Sequence, residues 1–594
     1  MIEVTRNRAG LLWHRTHGAP LLPADCGPFI AFLSPATRIE NEAELRSVLG
    51  LAADTSLQEL LLAAWRRWGR DLPDKLRGAF AVGIFDAATA SLFLFRDVSG
   101  LAPVYYIAVS DRLVVAGTSR IARAIFGRPI DPDLKFHATF LHGVWASRDA
   151  TFFAGMKRLP AAHHVTFSLE HNGEPACYWS PSTVPFAAPS NDTLGRFQEV
   201  FDNSVRRHYR KGMSALQLSG GLDSSAILGS LLASGLAAHD LPCLAMTYRE
   251  THGWSDGPYL DSLKGYAGIL LKEVPSDTHG PLVDMERWLE VLDGPYVSYG
   301  HSVASNLLHV AASLGLTNLY SGHGGDEVIG YGTGRLNELA QARRWIRLWC
   351  ESVGISRLSQ RSRSSLMRSY LAHYQKVRWI DAWIRRVFRD PGSPSEMSLS
   401  NQAIEMLDPD EIVPPTVLSR GDHDDRMVQA EMLEHPVQQL SLETIGQCSV
   451  AAGIETVMPF YSRDLIDLAV SLPSDWKLRF GQTRYILREA MRGRLPEDVR
   501  MRQTKFDFTA PFVAGLHAQR ELVLDWTADK PRLLVDLVKS ERLSRARDHL
   551  DQFGTMMSPD DARFLWRCTV LAIWGQQVDP APAPPPLEPL YEPS

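Results

Sequence analysis

At 594 residues the chain is long enough for more than one domain, and 45% apolar against 22% charged residues is the balance of a globular protein. A net charge of −6 over that length excludes a globally electrostatic binder of nucleic acid or anionic membrane. The first residues lack an apolar h-region, no run of about 18 apolar residues occurs, and the six cysteines are scattered without a CxxC pair. The expectation is a cytoplasmic protein with no membrane span, disulfide frame or zinc site.

Residues 1–190 read as a β-rich domain. Leu57–Trp68 puts Leu60, Leu61, Ala64 and Trp68 at helical spacing, and residues 78–86, 91–95 and 104–109 read as strands joined by short turns. Leu76-Arg77-Gly78-Ala79-Phe80-Ala81, Arg96-Asp97, Gly100 and Pro103-Val104-Tyr105-Tyr106 resemble the glutamine amidotransferase domain of asparagine synthetases. Phe152-Phe153-Ala154-Gly155, Leu159-Pro160 and Tyr178-Trp179 resemble that domain's closing segment. The resemblance implies an Ntn-type, glutaminase-like sandwich whose nucleophilic Cys follows the initiating Met. Here position 2 is Ile2, which has no nucleophilic atom. The Asn-Gly expected before Arg38-Ile39-Glu40-Asn41 reads Ser34-Pro35, and the Asp expected just before Glu59 falls on Leu57. The domain is read as a degenerate scaffold that cannot hydrolyse glutamine.

From 195 to 577 strands and helices alternate, as a doubly wound parallel sheet of the α/β class requires. A buried strand, Leu216-Gln217-Leu218, runs into Ser219-Gly220-Gly221-Leu222-Asp223-Ser224-Ser225 and then into an apolar helix. The glycines let the backbone approach a ligand, while N–H groups and serine hydroxyls at a helix N-terminus favour an anion. The Lys-Ser/Thr pair of a Walker loop is absent. Asp223 would repel a phosphate unless a divalent cation lay between them. The segment looks like the PP-loop of ATP pyrophosphatases, which cleave ATP between the α and β phosphates.

A second apolar strand is expected at 241–247, and Ser255-Asp256 with the helix-like run after it resembles that family's second nucleotide-contacting segment. Asp293-Gly294-Pro295 precedes a helix at 303–314 and a short strand, Asn318–Tyr320. That strand opens into Ser321-Gly322-His323-Gly324-Gly325-Asp326-Glu327, a second glycine-rich loop ending in carboxylates. Ligands of such sheets sit beyond the carboxyl ends of the strands, so both loops can face one cleft. Residues 335–390 then carry thirteen Lys/Arg against four Asp/Glu, with Trp345/Trp349 and Trp379/Trp383 at i,i+4 spacing. Two readings stay open there: amphipathic surface helices, or a basic aromatic groove for a peptide or acidic partner. Residues 578–594, with seven prolines, read as an extended, disordered tail.

These segments, together with Arg484-Tyr485-Ile486-Leu487-Arg488-Glu489-Ala490, Leu495-Pro496 and 502–505, resemble the synthetase domain of asparagine synthetases and β-lactam synthetases. The resemblance implies ATP and Mg2+ as cofactors, a carboxylate activated as its acyl-adenylate, and an amine that attacks to give an amide, AMP and pyrophosphate. It implies nucleotide contacts from Leu218, Ser219, Gly220, Gly221, Asp223, Ser224, Ser225, Met246, Ser321 and Gly322, with Asp223 and Asp326 holding the metal. His323 stands where asparagine synthetases carry Glu and β-lactam-forming enzymes carry a catalytic Tyr, so its imidazole is the candidate base. Glu443, upstream of Met458-Pro459-Phe460-Tyr461, matches by spacing the Glu paired with that Tyr and is expected to orient His323. Lys505 corresponds to the lysine that neutralises charge in the transition states.

Length, degenerate N-terminal shell and the Ser-Gly-His-Gly-Gly-Asp loop are most similar to lasso peptide cyclases. These close an isopeptide macrolactam between a side-chain carboxyl and the N-terminal amine of a precursor peptide. The implied partners are that peptide, a leader peptidase and a leader-recognition protein; nucleic acid is not expected. A small-molecule amide or β-lactam synthetase and an ammonia-using asparagine synthetase are the alternatives, as is a catalytically dead binding protein, which would be expected to have lost Asp223, Asp326 or Lys505.

Overall fold

The computed structural model describes residues 2–7, 10–16, 29–109, 112–145, 147–168, 173–186, 192–250, 256–277, 279–359, 361–374, 398–407, 424–528, 532–578 and 587–589. Ser255, Trp379 and Trp383 lie outside them. The N-terminal part holds two antiparallel sheets. One runs in the order Met156–Arg158, Tyr105–Val109, Arg112–Ala116, Ile2–Asn7, Gly10–Thr16, Leu587–Pro589. The other runs Ala176–Cys177, His163–Phe167, Ser91–Arg96, Ala81–Asp86, Phe29–Leu33. Phe85, Leu92 and Leu94 of the second sheet share a core with Tyr106, Leu113 and Val115 of the first, and Tyr106 meets Phe167 edge-on at 5.3 Å.

Their outer faces are covered as well. Helix Leu57–Trp68 packs on Ile84, Phe93 and Phe95, and helix Ser119–Phe126 packs on Tyr105, Ile107 and Val114. That double covering explains why Ala81–Asp86 and Ser91–Arg96 read as nearly continuous apolar runs rather than alternating ones. Helix Leu57–Trp68 starts on a reciprocal cap: the Glu59 amide donates to Ser56 Oγ at 3.3 Å, and the Ser56 amide donates to Glu59 Oε2 at 2.9 Å.

The C-terminal part is built on a five-stranded parallel sheet ordered Leu271–Pro275, Cys243–Thr247, Ser214–Gln217, Asn318–Tyr320, Glu455–Val457. The chain enters at the centre, works outward on one side, then crosses to the other. The order therefore reverses between Ser214–Gln217 and Asn318–Tyr320, the two strands that lead into the glycine-rich loops.

The expectation of a disordered tail is not met at Leu587–Pro589, which pair antiparallel with Gly10–Thr16 at the sheet edge. An edge strand is where a proline's missing N–H is tolerated. Among the described residues no helix is long and apolar enough to cross a membrane.

Buried ion pairs join the two parts. Arg96, wholly buried, reaches Glu443 at 2.7 Å, and Arg158 reaches the other oxygen of the same carboxylate at 2.6 Å. Arg123 lies 3.1 Å from Asp293, whose carboxyl is pushed up to about 6 by burial, with Arg123 pulling the other way. A cavity of about 300 Å³ lies along the same junction, walled by Pro35, Arg38 and Glu40 on one side and by His208, Glu455 and Tyr461 on the other.

Candidate active site

Both glycine-rich loops follow neighbouring strands, and glycine lets them touch. Gly220 has φ +67°, and a Cβ there would stand 3.0 Å from Tyr259 Cβ. Gly221 precedes helix Leu222–Ala233, whose first amides have no partner within the helix. The Ser219 amide donates to Ser224 Oγ at 3.2 Å, and the Gly221 amide to Ser219 Oγ at 3.3 Å. Arg502 fixes the loop from outside, donating to the Gly220 carbonyl at 3.2 Å and to Asp256 Oδ1 at 2.6 Å.

In the second loop, a Cβ on Gly322 would come within 2.6 Å of the Ser224 amide nitrogen, and one on Gly325 within 2.3 Å of Asp223 Cγ. Gly325→Ala is expected to force the Asp223 carboxyl out of place and weaken ATP binding by about tenfold or more. Titration with a fluorescent ATP analogue measures it, and unchanged affinity would show that the loops need no such contact.

Four charged side chains converge at this seam. Arg484 Nη1 lies 2.6 Å from both oxygens of Asp223 and 2.8 Å from Asp326 Oδ1. Lys505 forms an ion pair with Asp326 and stands 3.8 Å from Asp223 Oδ2. Burial raises Asp223, against the pull of Arg484. Burial also pushes Asp326 up, but Lys505 and Arg484 overcome it and hold that carboxyl below the usual range. Burial works against the charge on Arg484, and the two carboxylates outweigh it.

Asp223, Asp326 and Lys505, three residues the resemblance singles out, thus lie together. The residue the sequence reading missed as a site residue is Arg484, quoted only as part of a motif. Its signal is a backbone at φ +53°, a left-handed conformation that a non-glycine residue adopts at a cost of about 1–3 kcal/mol, often at a functional site.

His323 is half-buried, its ring 5.9 Å from that of Tyr461 and its Nε2 3.4 Å from Gln438 Nε2. Gln438 also bonds the Tyr461 hydroxyl. Burial raises the Glu327 carboxyl, and the neighbouring His323 pulls the other way.

The expected pairing of Glu443 with His323 is corrected by this geometry. Glu443 and Gln438 share helix Pro436–Ala452, but five residues of separation turn them about 140° apart around it. Gln438 therefore faces His323, while Glu443 faces Arg96, Arg158 and the Tyr105 hydroxyl. Of the remaining expected contacts, Ser321, Gly322 and Met246 sit at the carboxyl ends of their strands. Leu218 is a core residue, its amide bonded to the Leu244 carbonyl at 2.8 Å. Ser225 is wholly buried, and its Oγ has no hydrogen-bond partner among the described residues.

The comparisons with known proteins agree with this architecture. Residues 196–576 match the asparagine synthase family model, and residues 37–179 match a glutamine amidotransferase domain. Among curated relatives, asparagine synthetase [glutamine-hydrolyzing] 3 of Bacillus subtilis is 23% identical over 76% of this chain and 70% of its own. Asparagine synthetase [glutamine-hydrolyzing] 1 of the same organism is 22% identical over 90% and 84%. A putative asparagine synthetase [glutamine-hydrolyzing] of Mycobacterium tuberculosis is 23% identical over 90% and 82%. With the family model spanning most of the chain, this protein belongs to the asparagine synthase family of ATP-dependent, amide-forming ligases.

Proposed function

We propose that the chain is a lasso-type macrolactam synthetase. It adenylates an Asp or Glu side chain of a precursor peptide and joins it to that peptide's own N-terminal amine. The observation that carries the adenylating half is the meeting of Asp223, Asp326, Arg484 and Lys505 where two glycine loops touch. A carboxylate oxygen attacks the α-phosphorus and pyrophosphate leaves; the amine then attacks the acyl carbon and AMP leaves. Arg484 and Lys505 face the negative charge that builds on the phosphates, and one such donor in a dry site is worth on the order of 3 kcal/mol. His323 accepts the proton from the attacking ammonium on an imidazole nitrogen.

Asp223 and Asp326 would hold Mg2+, which supplies charge screening for the triphosphate when bound. The donor set fits: Asp326 Oδ1 is buried and, despite lying 2.8 Å from Arg484, has no hydrogen bond.

The tethered-amine half is supported by the N-terminal part, where Pro35, of the Ser34-Pro35 pair that replaces the expected Asn-Gly, lines the junction cavity. Holding both ends of one peptide makes the attack intramolecular, with effective molarities reaching about 10⁵ M or more. A leader peptidase and a leader-recognition protein would supply the trimmed peptide. The names of the relatives favour a second reading, amidation of free aspartate.

Incubation with Mg-ATP and linear peptides should give a product lighter by one water by mass spectrometry, whereas aspartate and ammonia should give no asparagine. Asparagine formation without any peptide product would reverse the two readings. His323→Ala is expected to spare pyrophosphate exchange and slow closure by about a hundredfold or more; closure at full rate would remove His323 from the mechanism.

A further inference from the structure

Helix Trp345–Leu358 turns only one face inward. Leu348, Ser352 and Ile355 are buried, whereas Ile346 is 85% and Trp349 40% exposed. Phe480, 73% exposed, precedes Gly481, where a Cβ would come within 3.1 Å of Val353 Cβ and 3.5 Å of the Cys350 carbonyl oxygen. Charge along residues 343–374 is nearly all of one sign. Residues 343–374 contain seven arginines and one acid, Glu351. Glu351 is buried and accepts the Gly481 amide at 2.9 Å. Arg363 lies over the Trp349 ring at 4.2 Å, and Arg479 over the Phe480 ring at 5.2 Å. The chain as a whole carries −6, so this patch runs against the composition. It also reaches the segment that carries Lys505: Arg357 Nη1 donates to Gln503 Oε1 at 2.6 Å, two residues before that lysine.

We propose that this face docks an acidic stretch of the peptide substrate that also bears apolar side chains, held apart from the reacting carboxyl. The proposal rests on the peptide-ligase reading above. Exposed arginine and tryptophan are the side chains that dominate binding energy at interfaces. Charge complementarity selects the occupant, since a basic segment would meet repulsion from arginines with no exposed acid among residues 343–374. A polynucleotide would engage the arginines but leave the aliphatic Ile346 without a partner.

The test uses the full chain without ATP and a fluorescein-labelled synthetic peptide alternating glutamate with leucine, followed by fluorescence anisotropy. Arg347→Glu and Ile346→Asp, both at solvent-facing positions, should each weaken binding by about tenfold or more. Raised salt should weaken the parent protein too, and a lysine-for-glutamate peptide should not bind. Binding indifferent to both substitutions overturns the proposal, as does a single-stranded oligonucleotide held more tightly than the peptide. Pyrophosphate exchange should stay at the parent rate in both variants. If the substitutions leave peptide cyclisation and binding untouched, the docking face falls and the ligase reading stands. If they abolish binding while no peptide loses water with the parent protein, the docking face stands and the ligase reading falls.

Discussion

Asp326→Ala should bring pyrophosphate release from ATP down by at least about a hundredfold while leaving the chain folded. Asp326 sits at the end of a loop whose glycines already press it against Asp223, and it shares Arg484 with that residue. Removing it takes away one of the two carboxylates proposed to hold the metal. It also leaves Lys505, half-exposed, without its closest partner. The remaining Asp223 would then neutralise Arg484 alone, and the balance of two acids against two bases would tip toward net positive charge. A more positive pocket can still attract ATP, so the expected signature is a fall in kcat larger than any rise in KM. Steady-state release measured against ATP concentration, with thermal unfolding as the control for folding, decides it. Release at the parent rate would remove this cluster from the chemistry, and the adenylation proposal with it.

Glu443→Gln should instead cost stability, on the order of 3–5 kcal/mol, because it leaves two buried guanidinium groups without their shared counter-charge. Arg96 is wholly buried and, among the described residues, otherwise donates only to the carbonyls of Gly100, Ala102 and Leu159. Arg158 donates to Glu443 and to the Ala150 carbonyl. Glutamine keeps the shape and an acceptor oxygen but not the charge, so the change isolates the ionic part of the clamp. Thermal unfolding should show a lower midpoint, while the pH dependence of product formation by the folded protein stays that of the parent. A normal midpoint with an altered pH profile would reinstate Glu443 as the partner of His323.

The difference between those two residues shows what the chain alone reveals. Asp223 and Asp326 are legible because each ends a strand–glycine–carboxylate segment, and contiguous residues carry the whole reason for their placement. Glu443 was assigned by spacing alone, and spacing along a helix says nothing about which of its faces meets which neighbour. The edge strand Leu587–Pro589 was hidden for a related reason: a proline-rich stretch is extended whether or not it finds a sheet. The basic, tryptophan-bearing segment was visible as composition, but its solvent-facing side became definite only when Leu348 and Ile355 were seen to take the inward one.

By itself, the order of residues determined the alternation of strands and helices, the two glycine-rich loops that end in carboxylates, and a glutaminase-like shell without its expected polar groups. Those features are local: period, glycine and side-chain chemistry act over a few neighbouring positions. Only the tertiary structure decided that Arg484, 261 residues from Asp223, bridges both acids, and that Glu443 fastens one half of the molecule to the other. Such pairings depend on how whole helices and sheets are turned against one another, a property of packing that no interval in the chain encodes.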